Sequence, residues 1–141
     1  MSKLAYLSSL LAFCCCSAQS EQIALADKTI QTAIVEEVNA LRAQGCTCGD
    51  QYYGKTNPLV WNDQLEAAAE LHTRDMEQNG FFDHRGSDGS SAGDRMRRVG
   101  YSWTAYGENI GWGYTDEADV VLGWKNSPGH CRLMMDPSFK E

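Results

Sequence analysis

Three side chains in this sequence combine suitable chemistry with a suggestive setting: His84 in HRGSDGSSAGD, Glu108 in YGENIGWG and His130 in SPGHC. Imidazole nitrogens and a carboxylate are good zinc ligands, and the same groups can move protons. Their separations follow no local ligand spacing, so only a fold that brings distant segments together makes them one site. Glu108 stands between Tyr106 and Trp112. A carboxylate buried among aromatic rings without a partner is costly, so a histidine or a divalent cation is expected beside it. His84, Glu108 and His130 are therefore the candidate ligands, and Zn2+ is the candidate cofactor, not required for folding.

The third histidine reads differently. His72 shares a helical face with apolar residues and is expected to be a hydrogen-bonded core residue, with Asp75 as a neighbour that could orient it. Other catalytic patterns are missing: the chain has no G-x-S-x-G elbow, no H-E-x-x-H and no phosphate-binding glycine loop. A triad built on Ser90 or Ser127 is not singled out by any pattern. No residue is assigned a catalytic role.

The elements that must position these groups are mostly helical. Ile30, Ile34, Val38 and Leu41 recur at helical steps between Asp27, a capping residue, and Gly45, a stop. The stretch from Cys46 to Asn57 reads as a loop. Asn62 caps a second helix over 63–79, ended by Gly80, with Leu65, Ala68, Ala69, His72 and Met76 on one face. A short third helix spans about Ser91 to Val99. Tyr101 to Tyr114 reads as strand and loop. Thr115 is expected to cap a fourth helix with an acidic first turn, and Pro128 to open a further one.

Composition narrows the class. The 141 residues suit one domain with a real core, and hydrophobic and charged contents of 43% and 22% are ordinary for a globular chain. Net charge is −7, and Arg95, Arg97 and Arg98 lie among acidic and polar neighbours, so nucleic acid is not expected as a partner. At the N-terminus, Lys3 precedes the apolar run LAYLSSLLAFCCC, and Ser17 and Ala18 follow. That is the layout of a secretory signal over 1–18, with a short leader over 19–26 and the domain over 27–141. LAFC faintly matches a lipoprotein box with bulky Phe13 out of place; an anchor on Cys14 is the one route by which a membrane enters the reading.

Behind the signal remain Cys46, Cys48 and Cys131. In an oxidising compartment two of them are expected to pair and tie the first helix to the C-terminal region, with one left over. A zinc site using all three with His130 is the alternative, weakened by a C-x-C pair shorter than the usual ligand spacing.

Taken in order, LVWNDQLEAAAELHTRDM, GFFDHRGSDGSS, DRMRRVGY, GENIGWGY and VVLGWKNSPGHCRLMM resemble the bacterial branch of the CAP superfamily, which holds the cysteine-rich secretory proteins, antigen 5 and pathogenesis-related 1 proteins. The resemblance covers roughly residues 30 to 141. It implies an α+β fold, a three-layer α-β-α sandwich, secreted, with an open cleft that in many members carries two His and two Glu able to bind a divalent metal. His84 matches the first histidine of that set and Glu108 the glutamate of the GEN motif. The second glutamate would fall near Asn126 or Ser127, where no acid stands. The second histidine belongs to a terminal strand expected to be missing here, and His130 is its local substitute. Glu141 resembles an acidic position leading into that strand. The resemblance thus implies a cleft that takes a metal or a small, lipid-like or protein ligand. A metal-assisted hydrolase with Glu108 as general base, and a structural interaction module, are the alternatives.

Overall fold

In the computed structural model, residues 33–141 are described. The signal and leader expected over 1–26, together with Asp27 and Ile30, lie outside them. Helix α1 occupies 33–44 and ends where Gly45 takes a left-handed φ of 78°, a conformation that glycine adopts without strain. Strands β1 (Cys46–Cys48) and β2 (Gln51–Tyr53) follow as an antiparallel hairpin, Cys46 facing Tyr53 and Cys48 facing Gln51. This stretch was expected to be a loop. Its glycines and cysteines hid a strand pattern only three residues long on each side.

Helix α2 (Asp63–Asn79) has the expected bounds: the Asn62 side chain accepts from the N–H groups of Gln64 and Leu65, and Gly80 closes the helix at φ 66°. Ala68, His72 and Met76 are buried, whereas Ala69 faces outward. Helix α3 (Ala92–Arg98) starts in a capping box between Ser91 and Asp94, which satisfies two free N–H groups at once. Helix α4 (Glu117–Asn126) is capped by Asp116 and not by Thr115. The Asp116 carboxylate accepts from the Asp119 N–H at 2.8 Å, and a charged acceptor suits the positive helix end better than a hydroxyl. Helix α5 (Pro128–Met135) opens on Pro128, whose missing N–H costs nothing in a first turn.

The expected α+β class holds, and the sheet among the described residues is the β1–β2 hairpin. The stretch from Tyr101 to Tyr114 forms no strand. It is held by its aromatic residues instead: Trp103 Nε1 donates to the Gly93 carbonyl at 3.1 Å, and Trp103 meets Tyr106 edge-on at 4.5 Å. A Cβ on Gly93 would lie 2.7 Å from both rings, so only glycine lets this loop pack on α3.

α2 packs on α3, α4 on α5, and α5 on β1. Val38, Val121 and Met134 form one buried cluster; Cys46, Cys48, Cys131 and Met135 form another. Arg42 is fully buried as well. Its guanidinium donates to the carbonyls of Asn57 (2.6 Å), Met134 (2.6 Å), Asp136 (3.0 Å) and Phe139 (3.1 Å). One cation thereby clips two separate segments, the loop at Asn57 and the stretch 134–139, to α1 and satisfies their carbonyls, that of Met134 in the interior. Burial pulls its pKa below the usual arginine value, and the nearby Asp136 carboxylate opposes that. Cys48 and Cys131 form the disulfide, and Cys46 is the free, buried thiol. The expected tie between the first helix and the C-terminal region is thus made through Cys48.

Candidate functional site

His84 and Glu108, far apart in the chain, meet in space. Glu108 Oε1 accepts from His84 Nδ1 at 2.8 Å. An ionised carboxylate can only accept, so the shared proton sits on Nδ1, and Nε2 is left without a part in this bond. The His84 side chain is 55% exposed and that of Glu108 only 18%. The pair therefore has a wet end and a sheltered end.

The sheltered end is held by a residue the sequence did not single out. Arg95 Nη2 donates to Glu108 Oε2 at 2.6 Å. The same guanidinium reaches the carbonyls of His84 and Ser90, both at 3.2 Å. Arg95 is 3% exposed, while Arg97 and Arg98 on the same helix face out. A signal for this existed: Ala92, Arg95 and Val99 share a face at helical spacing, and Ala92 is small enough to be pressed inward. Glu108 needed a neighbour, and it has two, one imidazole and one guanidinium.

The turn that presents His84 is rigid for local reasons. The Asp75 carboxylate accepts from the Ser87 N–H (2.8 Å) and hydroxyl (2.5 Å), and Gly86 N–H bonds the Ser90 carbonyl (2.9 Å). These bonds, the Ser87 hydroxyl foremost, hold the Asp75 carboxyl below the usual range. Asp75 thus orients this turn and not His72. His72 is 1% exposed and donates from Nε2 to the Asp83 carbonyl at 2.8 Å, the core role expected of it.

His130 is half-buried in the first turn of α5, and its carbonyl accepts from Asn109 Nδ2 at 3.3 Å. Its backbone adjoins the site, but its imidazole does not complete a ligand triad. Among the described residues, the His, Cys, Asp or Glu triad with ligand atoms all within 4.8 Å of one another is Cys46, Cys48 and Cys131. The structure therefore joins two of the three expected ligands. Zinc takes three or four protein ligands. Here one oxygen of the carboxylate is engaged by the imidazole and the other by a buried cation. That pair alone does not fit a zinc ion.

Beside Glu108 opens a cavity of about 430 Å³. Leu65, Met96, Leu133, Met134 and Phe139 supply apolar wall, and Glu108 lies in the same wall. The volume falls within the range of small-molecule sites. Besides the apolar residues the lining carries Tyr101, Asn109, Lys140 and Glu141, so the cavity is amphipathic. Phe82, two residues before His84, and Trp112 stand exposed with ring centres 6.3 Å apart.

Comparison with known proteins agrees with this architecture. Residues 35–141 match the model of the cysteine-rich secretory protein family, CAP. The chain is 34% identical over 82 residues to "Uncharacterized protein YkwD" of Bacillus subtilis (strain 168), covering 58% of this chain and 32% of that protein. It is 31% identical over 81 residues to "Uncharacterized membrane protein YlbC" of the same strain, covering 57% and 23%. The crystal structure of an extracellular protein containing an SCP domain from Bacillus anthracis str. Ames superposes with a TM-score of 0.70 at 26% identity, covering 80% of this chain and 35% of that one. The chain thus spans about a third or less of the length of each of these relatives.

Proposed function

Because this chain belongs to the cysteine-rich secretory protein (CAP) family, we propose that it is an extracellular binding module for a small amphipathic ligand. The ligand's apolar part enters the cavity beside Leu65, Met96 and Leu133, and its polar head meets the Glu108–His84 pair. The observation that carries this reading is the double placement of Glu108: it lies in the wall of an amphipathic cavity, which it shares with Leu65, Met96 and Leu133, and is also bound to an outward imidazole. The buried Arg95 neutralises the carboxylate, so the site does not repel an anionic head, and the exposed His84 imidazole keeps Nε2 for a further polar contact. Extracellular placement is supported by the solved neighbour, described as extracellular, and by the basic-apolar-small order of residues 1–18. Attachment through Cys14 belongs to the same proposal as its membrane-bound variant.

The test is a titration with a fluorescent long-chain fatty acid, followed through transfer from Trp103. Saturable one-to-one binding is expected. It should be weakened by Leu133→Trp, which fills the cavity, and by His84→Ala, which removes the polar end. Binding that is unaffected by Leu133→Trp would overturn the proposal. A divalent metal is the competing occupant, and calorimetry with zinc checks it: saturable heat abolished by His84→Ala would move the reading from amphiphile to metal, with further ligands recruited beyond the pair. Hydrolysis finds less support, since no side-chain nucleophile is placed against His84 among its described contacts.

A further inference from the structure

The cysteine cluster plays no part in the cleft, and its geometry is more specific than a disulfide needs. Side chains alternate along a strand, so the C-x-C of β1 turns Cys46 and Cys48 to the same face, with exposed Thr47 turned away. Both meet Cys131 on α5. Cys46 Sγ stands 3.6 Å from Cys131 Sγ and 3.8 Å from Cys48 Sγ. Zinc–thiolate bonds of about 2.3 Å place the sulfurs of a tetrahedral site roughly 3.8 Å apart. Two edges of the sulfur triangle are already at that separation. The third is closed by the disulfide, and it can open without backbone displacement, because the Cα atoms of Cys48 and Cys131 are 5.5 Å apart. The short C-x-C spacing, unfavourable for a turn-borne zinc knuckle, is thus the spacing a strand requires to aim two thiols at one point.

We propose that the three cysteines form a second, reduction-dependent site for a thiophilic metal ion of the Zn2+ or Cu+ type. The surroundings select soft ions. Cys48 and Cys131 are 1% and 0% exposed, and Met135 is packed into the same cluster one helical turn beyond Cys131. Thiolate and thioether donors favour these ions over Mg2+ or Ca2+. The chemistry balances as follows. A dithiol reductant gives two electrons and two protons to the Cys48–Cys131 bond and closes to its own disulfide. The three thiols then release three protons to solvent as three metal–sulfur bonds form. In the disulfide state one thiol remains, so metal and disulfide exclude each other. The site shares no residue with the cleft, and its fate is independent of the ligand proposed there.

The experiment uses the full chain carrying Cys14→Ser, Cys15→Ser and Cys16→Ser, so that only these three cysteines remain. Zinc is titrated against a competing chelator before and after treatment with dithiothreitol, with helical circular dichroism recorded throughout. One zinc per reduced chain and none per oxidised chain is expected. Cys46→Ser, which leaves the disulfide intact, should weaken zinc binding to the reduced form by at least about a hundredfold, more than the loss of a mere outer-shell partner. His84→Ala should leave it unchanged. Equal zinc binding by the reduced parent and reduced Cys46→Ser would overturn the proposal. So would a reduced chain that unfolds and takes zinc without regaining its helical signal.

Discussion

Arg95 Nη2 and Glu108 Oε2 stand 2.6 Å apart with side chains 4% and 18% exposed, so the candidate site is built on an ion pair largely withdrawn from water. Such a pair adds little over a well-packed apolar one, but removing one partner strands the other. Arg95→Met should therefore cost about 3 kcal/mol in urea denaturation. Adding Glu108→Gln should recover part of that loss. A cost below about 1 kcal/mol would mark the pair as behaving like a surface contact.

Arg42→Met keeps the apolar stem and deletes every donor. The carbonyls of Asn57, Met134, Asp136 and Phe139 then lose their partner, and each unsatisfied buried group costs about 1–3 kcal/mol. The sum, softened by water entry, should exceed about 3 kcal/mol. Early proteolysis after residue 136 is the expected accompanying sign, since that segment loses its clip to α1.

Cys131→Ser removes the partner of Cys48 and also one of the two sulfurs near Cys46. With the bonded cysteines 83 positions apart in sequence, the chain-entropy estimate is a loss of roughly 4–5 kcal/mol. Cys46→Ser should cost far less under oxidising conditions. Burial pushes the Cys46 thiol pKa up, with Lys125 acting against that, so in the oxidised protein alkylation at neutral pH should be slow until the chain unfolds.

Acid should destabilise the protein below the ordinary aspartate value of 3.8. Asp75 is held below that value first by the Ser87 hydroxyl, Asp88 well below it by Ser90 and then Arg98, and Asp94 by Ser91. A carboxyl whose folded pKa is depressed contributes its full stabilisation above the unfolded value and loses it as pH falls through the folded one. The melting temperature should thus fall as pH drops below 3.8, and Ser87→Ala should flatten part of that fall. An acid limb unchanged in Ser87→Ala would remove Asp75 from this account.

Gly93→Val places side-chain atoms where Trp103 and Tyr106 now lie. Overpacking of this kind costs typically 1–3 kcal/mol. The loop from 101 to 109 should lift, visible as a red shift in tryptophan emission and as weaker binding of the fatty-acid probe.

The sequence by itself settled whatever is decided within a few residues. Helix α2 runs between Asn62 and Gly80 because one offers a side-chain acceptor and the other tolerates a positive φ. Ser91 and Pro128 mark α3 and α5 for equally local reasons. The ordered blocks from LVWNDQ to SPGHCRLMM identified the family, and Glu108 could be seen to need a partner. Tertiary structure decided which partner it took. That Arg95 and not Arg97 or Arg98 turns inward depends on how α3 lies against the loop carrying Glu108. That Cys48 and not Cys46 bonds Cys131 depends on the approach of α5 to β1. Contacts across such distances are fixed by packing of whole elements, a property that no local spacing records.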